Sequence, residues 1–255
     1  HGPRRFAAGA DLRVRQYDLP GLRRACASRD GHDGYVRRFL LVLRALHRAL
    51  GKQADGSRGS ERLVAGLADG ALLVWNIEAG GLPQELKVGS EAVGVVAFGN
   101  QGQWVGGISG TGGVVRNLGS HGVEWKLDRG FNRLGFLSSL RSLSFSSRGD
   151  LVAVAGEDGT VTAWRLSDGR IVFAVLATQG SVLEKLRWTG FSSDGKWLRA
   201  VAGSGLGYLW QPDKGREAIV VGTPGEEALG GVFSPDGSLF VVHHTTGKAR
   251  TWPLS

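Results

Sequence analysis

Four phenylalanines set the terms for this chain. Phe98, Phe145, Phe191 and Phe233 are each followed four residues later by a glycine, across the turns GNQG, SSRG, SSDG and SPDG. Fifteen residues beyond Gly149, Gly195 and Gly237 stand Trp164, Trp210 and Trp252, and fourteen beyond Gly102 stands Arg116. The phenylalanines are 47, 46 and 42 residues apart. A repeat of this length, with room for about four strands, is the pattern of a β-propeller. One copy, Leu143 to Trp164, reads LSFSSRGDLVAVAGEDGTVTAW, three β-type runs broken by turns at Ser147-Arg148-Gly149 and Glu157-Asp158-Gly159. Glycine supplies the positive φ that such tight turns require. The runs are nearly all apolar rather than alternating, as expected of strands covered on both faces.

Two further units precede these four. Residues 31–75 open with GHDGYVRRFLLVL and close with ERLVAGLADGALLVW, and residues 5–18, RFAAGADLRVRQYD, match the latter half of a unit. Asp11 to Tyr17, Asp69 to Trp75 and Asp158 to Trp164 share a six-residue spacing. The expectation is an all-β chain, a single β-propeller domain over 1–255 built of four-stranded antiparallel blades. About six repeat units fall near 5–30, 31–90, 91–130, 139–180, 182–222 and 227–255. The first unit lacks an innermost strand and the last lacks an outer one. The ring therefore closes by pairing an N-terminal strand into the last blade, or it is part of a larger ring. A start in mid-repeat, in a chain without Met, leans toward the second reading.

These residues resemble the WD-repeat family, in which a Gly-His pair opens a repeat and an Asp turn leads to Trp-Asp. The resemblance covers about residues 5–255, and the F-x-x-x-G turns with the Asp-Gly to Trp spacing are its most specific part. It implies a structural tetrad of His, Ser/Thr, Asp and Trp that pins the strands of a blade. The 31–75 unit comes nearest, with His32, Asp69 and Trp75, but Leu67 stands at the hydroxyl position. The 141–164 unit keeps Asp158 and Trp164, with Gly156 at that position and no upstream His. No Trp is followed by Asp, so the repeats are divergent. The resemblance also implies a non-catalytic scaffold that binds other proteins in a multi-subunit assembly.

The 31–75 unit is the irregular one. If Leu41 takes the phenylalanine position, it lies 34 residues before Trp75 where the other units need 19, an excess of 15 placed at about 43–61. Long blade-turn insertions are where special contacts are made. Residues 35–50 read two ways: as an inner strand over 35–41 followed by a short helix or loop, or as an amphipathic helix with Phe39, Val42, Leu43, Leu46 and Leu50 on one face. The strand is favoured because GHDGYV sits where the repeat demands it.

Charge singles out the same region. Residues 1–62 carry 14 Lys/Arg against 6 Asp/Glu, while the remaining 193 carry 17 of each, so the net +8 belongs wholly to the first quarter. Arg37, Arg38, Arg44, Arg48, Lys52 and Arg58 are the candidate partner-binding residues, facing an acidic protein or, as the alternative, RNA or another nucleic acid through its phosphates. Charge on solvated edge strands is the structural explanation for the same residues. No catalytic constellation emerges and no enzyme is expected: G-x-S-x-G, H-E-x-x-H, C-x-x-C and Walker-type loops are missing, and the adjacent His243 and His244 point to opposite strand faces. No cofactor or metal is called for. A single cysteine, Cys26, rules out an internal disulfide, and no apolar run approaches a membrane span of roughly 20 residues, so an intracellular protein is expected.

Overall fold

The computed structural model describes residues 46–47, 62–77, 79, 81–119, 122–127, 139–179 and 182–254. They form five antiparallel sheets in sequence order. The first contains β1 (Leu46–His47), β2 (Arg62–Gly66), β3 (Ala71–Asn76) and β4 (Gln84–Lys87). The second contains β5 (Val93–Gly99), β6 (Trp104–Ser109), β7 (Gly112–Asn117) and β8 (Glu124–Lys126). The third contains β9 (Leu140–Phe145), β10 (Leu151–Gly156), β11 (Thr160–Arg165) and β12 (Ile171–Leu176). A hairpin of β13 (Thr178–Gln179) and β14 (Val182–Leu183) leads to the fourth sheet: β15 (Leu186–Phe191), β16 (Leu198–Ala202), β17 (Leu206–Trp210) and β18 (Ile219–Gly222). The last is three-stranded, with β19 (Ala228–Phe233), β20 (Leu239–His244) and β21 (Ala249–Pro253). Every sheet runs in strand order, as a propeller blade does.

The core lies between the sheets. On β10, Val152 and Val154 pack with Trp104, Ile108 and Val115 of the second sheet, while Ala153 and Ala155 pack with Leu198, Ala200 and Tyr208 of the fourth. One strand thus supplies two cores by the side-chain alternation of a pleat. The same sharing joins the first sheet to the second through Val64, Leu72 and Val105, and the fourth to the last through Val201, Leu209 and Phe240. This double coverage is why the middle strands read as unbroken apolar runs.

The recurring Phe and Gly have separate tasks. Phe98, Phe145, Phe191 and Phe233 face Val105, Val152, Leu198 and Phe240 across the first hairpin of their sheets. Gly149, Gly195 and Gly237 all have φ near +72°, at 72°, 71° and 72°. Each also lies under a side chain of the preceding blade: Asn100 over Gly149, Arg148 over Gly195, Asp194 over Gly237. A Cβ on Gly149 would stand 2.6 Å from the Asn100 side chain. The motif therefore reports packing between blades as well as a turn within one.

Register also corrects the reading of the irregular unit. Leu46 faces Leu63, and Leu63 faces Trp75, so Leu46 holds the position that phenylalanine holds elsewhere, not Leu41. It lies 29 residues before Trp75, so the excess is ten rather than 15, and the β1–β2 connection runs over 48–61. A helix through residue 50 is excluded at Leu46–His47, which pair as strand. The proposed strand at 35–41 and the unit at 5–30 lie outside the described residues. In the second sheet, Val105 faces Arg116 as Val152 faces Trp164, which confirms Arg116 as the counterpart of the tryptophans.

Candidate interaction surface

Arg37, Arg38, Arg44, Arg48, Lys52, Arg58 and His32 lie outside the described residues. Arg62, at the end of the basic stretch, is described, and it acts within the fold. Its Nη1 donates to the Gly102 carbonyl at 2.6 Å, tying β2 to the first turn of the second blade, and burial lowers its pKa.

Among the described residues of the first sheet, the side chains of Asp69 and Trp75 do not bond to each other. Asp69 accepts from the Ala71 amide at 3.2 Å within its own turn, and Trp75 Nε1 is buried without a partner. With Leu67 at the hydroxyl position, no hydroxyl stands there for the indole to meet. Asp158 accepts from both the amide and the hydroxyl of Thr160, at 3.2 and 2.6 Å, so it fixes the β10–β11 turn. Trp164 is buried in the core between the second and third sheets.

A different brace holds three other blades. Glu91, Glu184 and Glu226 each lie seven residues before a repeat phenylalanine, in the approach to the inner strand. The Ser109 hydroxyl donates to the Glu91 carbonyl at 2.6 Å and accepts from the Glu91 amide at 3.1 Å. Ser204 donates to a carboxylate oxygen of Glu184 at 2.7 Å. His244 Nδ1 lies 3.0 Å from the Glu226 carbonyl. All three ties run from the β-hairpin of the second and third strands to the segment entering the first. Sequence reasoning missed them; the glutamate spacing was the available signal, hidden because its partner changes from Ser to His.

Two clefts open at opposite ends of the strands. One, of about 430 Å³, is lined by Glu157, Glu184, Lys185, Arg187, Gly203 and Ser204 between the third and fourth blades. Of its charges, Glu157 pairs with Arg141 at 2.5 Å and Arg187 with Glu227 of the next blade at 2.7 Å. Beneath it, burial and the charge of Glu184 push the Tyr208 phenol up to about 12. The other, of about 640 Å³, collects Arg148, Asp194, Lys196, Trp197, Lys214 and Asp236 from the turns of three successive blades. Both present alternating charge on rigid hairpins, a surface suited to polar recognition. Of the tryptophans that do not close a repeat, Trp104 and Trp197 are buried, and Trp125 Nε1 donates to the Leu166 carbonyl at 2.9 Å, linking the second blade to the third. Among the described residues no three His, Cys, Asp or Glu side chains gather as a metal site would require.

The WD domain, G-beta repeat family matches residues 134–165, the stretch that runs through β9, β10 and β11. No curated protein matches the chain significantly. One WD repeat is thus matched, and the sheets of the same build on both sides of it are consistent with the blades of a propeller made of such repeats. Such repeats serve in general as sites of protein interaction.

Proposed function

We propose that the chain is a non-catalytic docking platform within a larger intracellular complex, its blades holding hairpin turns in fixed relation for protein partners. The matched repeat set in a row of blades joined by continuous inter-sheet cores is the observation that carries this reading. Rigid placement of loops by a packed scaffold is what a binding platform needs. Among the described residues no helix is long and apolar enough to cross a membrane. The basic residues Arg37, Arg38, Arg44, Arg48, Lys52 and Arg58 engage an acidic surface on a partner. A pull-down comparing the intact chain with one lacking residues 49–60, a deletion that spares β1, tests this: retention of every partner removes the 48–61 connection as the docking element.

The charge asymmetry favours one second reading, a subunit of a ribonucleoprotein or other nucleic-acid assembly. The surplus of eight positive charges in residues 1–62, against exact balance beyond, is its support. Phosphate contacts make binding fall steeply with salt, with a log–log slope of roughly −0.7 per contact on single strands. Labelled RNA that fails to bind even at low salt eliminates this reading and leaves the protein-docking one standing.

A further inference from the structure

Arg199 lies on β16 at the level of Val64, Gly106, Ala153 and Val241 in the other blades, positions that are small or apolar. Leu198, Ala200 and Ala202 face the third sheet, whereas Val201 packs toward the last, and Arg199 shares the side of Val201. Its guanidinium lies over Gly190 of β15, where a Cβ would stand 3.1–3.4 Å from Nη2, Cζ and Nε, and 6.0 Å from the ring centre of Phe233 on β19. The head group thus occupies a slot between the inner strands of two blades. Nε and Nη1 are sealed from solvent and have no hydrogen-bond partner. Burial pulls the pKa down to about 10, which still leaves the group charged at neutral pH.

A ring face attracts the cation but does not take its in-plane N–H donors. A half-buried charge with two donors sealed and unmet is unfavourable, and a position where the other blades carry Val, Ala or Gly offers an apolar alternative. The residue makes sense where an acceptor arrives. A single cation in a flat slot between a glycine backbone and an aromatic ring suits one planar monoanion better than a tetrahedral dianion. The guanidinium's planar donor array matches a carboxylate. We propose that Arg199 anchors a carboxylate-binding site at the junction of the fourth and last blades. The carboxylate comes from an acidic side chain of a bound peptide or from a small free acid; the site is independent of the basic residues before position 62.

Thermal unfolding of the full chain in sodium acetate and in sodium chloride of equal ionic strength tests this. Acetate should raise Tm saturably by about 2–4 °C over chloride, the response to a modest ligand in a domain of this size. Arg199→Met should abolish the difference, and Arg199→Lys should reduce it. The peptide acetyl-Gly-Glu-Gly-amide, against its Gln counterpart, separates the sources: a larger effect than acetate at equal concentration assigns a side chain, a smaller one a free acid. Failure of both probes to exceed their controls overturns the site, as does an undiminished response in Arg199→Met. Should the Met variant not fold, Gly190→Ala, which keeps the arginine but crowds its head group, must weaken the response; full retention there overturns the proposal equally.

Discussion

The third and last blades share one motif and differ in what surrounds it. Phe145, Gly149 and Trp164 correspond to Phe233, Gly237 and Trp252 residue for residue. Yet β11 is buried along its length up to Arg165, while β21 is exposed at Ala249, Arg250, Thr251 and Pro253. Ser144 and Leu151 are half-buried, whereas their counterparts Val232 and Leu239 are 56 % and 38 % exposed. Among the described residues the third sheet has a neighbour on each face and the last has one. The same hairpins therefore derive their stability from different sources: burial in the third blade, turn and brace hydrogen bonds in the last.

The largest test of that contrast is the closing tryptophan. Trp164→Ala should cost about 3–5 kcal/mol, the usual range for a buried aromatic, and Trp252→Ala, half-buried, about half that or less. Denaturant unfolding of the two variants measures it, and equal losses would break the comparison. The turn glycines come next. Gly149→Ala and Gly237→Ala incur the same backbone strain of about 1–2 kcal/mol from a positive φ. Only the first also drives a Cβ into Asn100, adding about 1–2 kcal/mol of overpacking. Equal losses at the two positions would show that the preceding blade's side chain yields freely.

The brace gives a smaller effect, in the blade that depends on it. His244→Leu keeps the site filled but strands the Glu226 carbonyl, for an expected loss of about 1–2 kcal/mol by the same unfolding measurement. The third blade has Gly156 at the position of His244, and so no side chain there to make this bond. Smallest is the acid response of the last blade's turn. The Ser234 hydroxyl first, then the amide and hydroxyl of Ser238, hold Asp236 at about 2. A lowered carboxylate pKa stabilises fully above the unfolded value of about 4. That contribution is lost as pH falls from there through about 2. An NMR titration should place Asp236 near 2, and Ser234→Ala should move it up; an unmoved midpoint would assign the shift elsewhere.

How far the sequence alone reached follows from the same residues. Phe98, Phe145, Phe191 and Phe233 were legible because their spacing to glycine is constrained twice, by positive φ and by the blade before. The strand at Leu46–His47 was not, because LLVLRALH presents apolar residues at both Leu41 and Leu46, and only pairing with Leu63 chooses between them. The braces at Glu91, Glu184 and Glu226 escaped because the donor changes from Ser to His and the acceptor from backbone carbonyl to carboxylate, so only the glutamate spacing repeats. Arg199 stood out from its counterparts only once register showed which residues those were.

The covering of each turn glycine by the blade before it has an evolutionary corollary. Asn100, Arg148 and Asp194 belong to one repeat in sequence and protect the next in space, so the copied segment of gene and the packed unit of structure are offset by a boundary. A blade duplicated or transplanted whole carries its glycine but leaves its cover behind. Grafts between related propellers should therefore succeed more often when the exchanged segment begins one turn early, and coupled substitutions should be sought across repeat borders rather than within them.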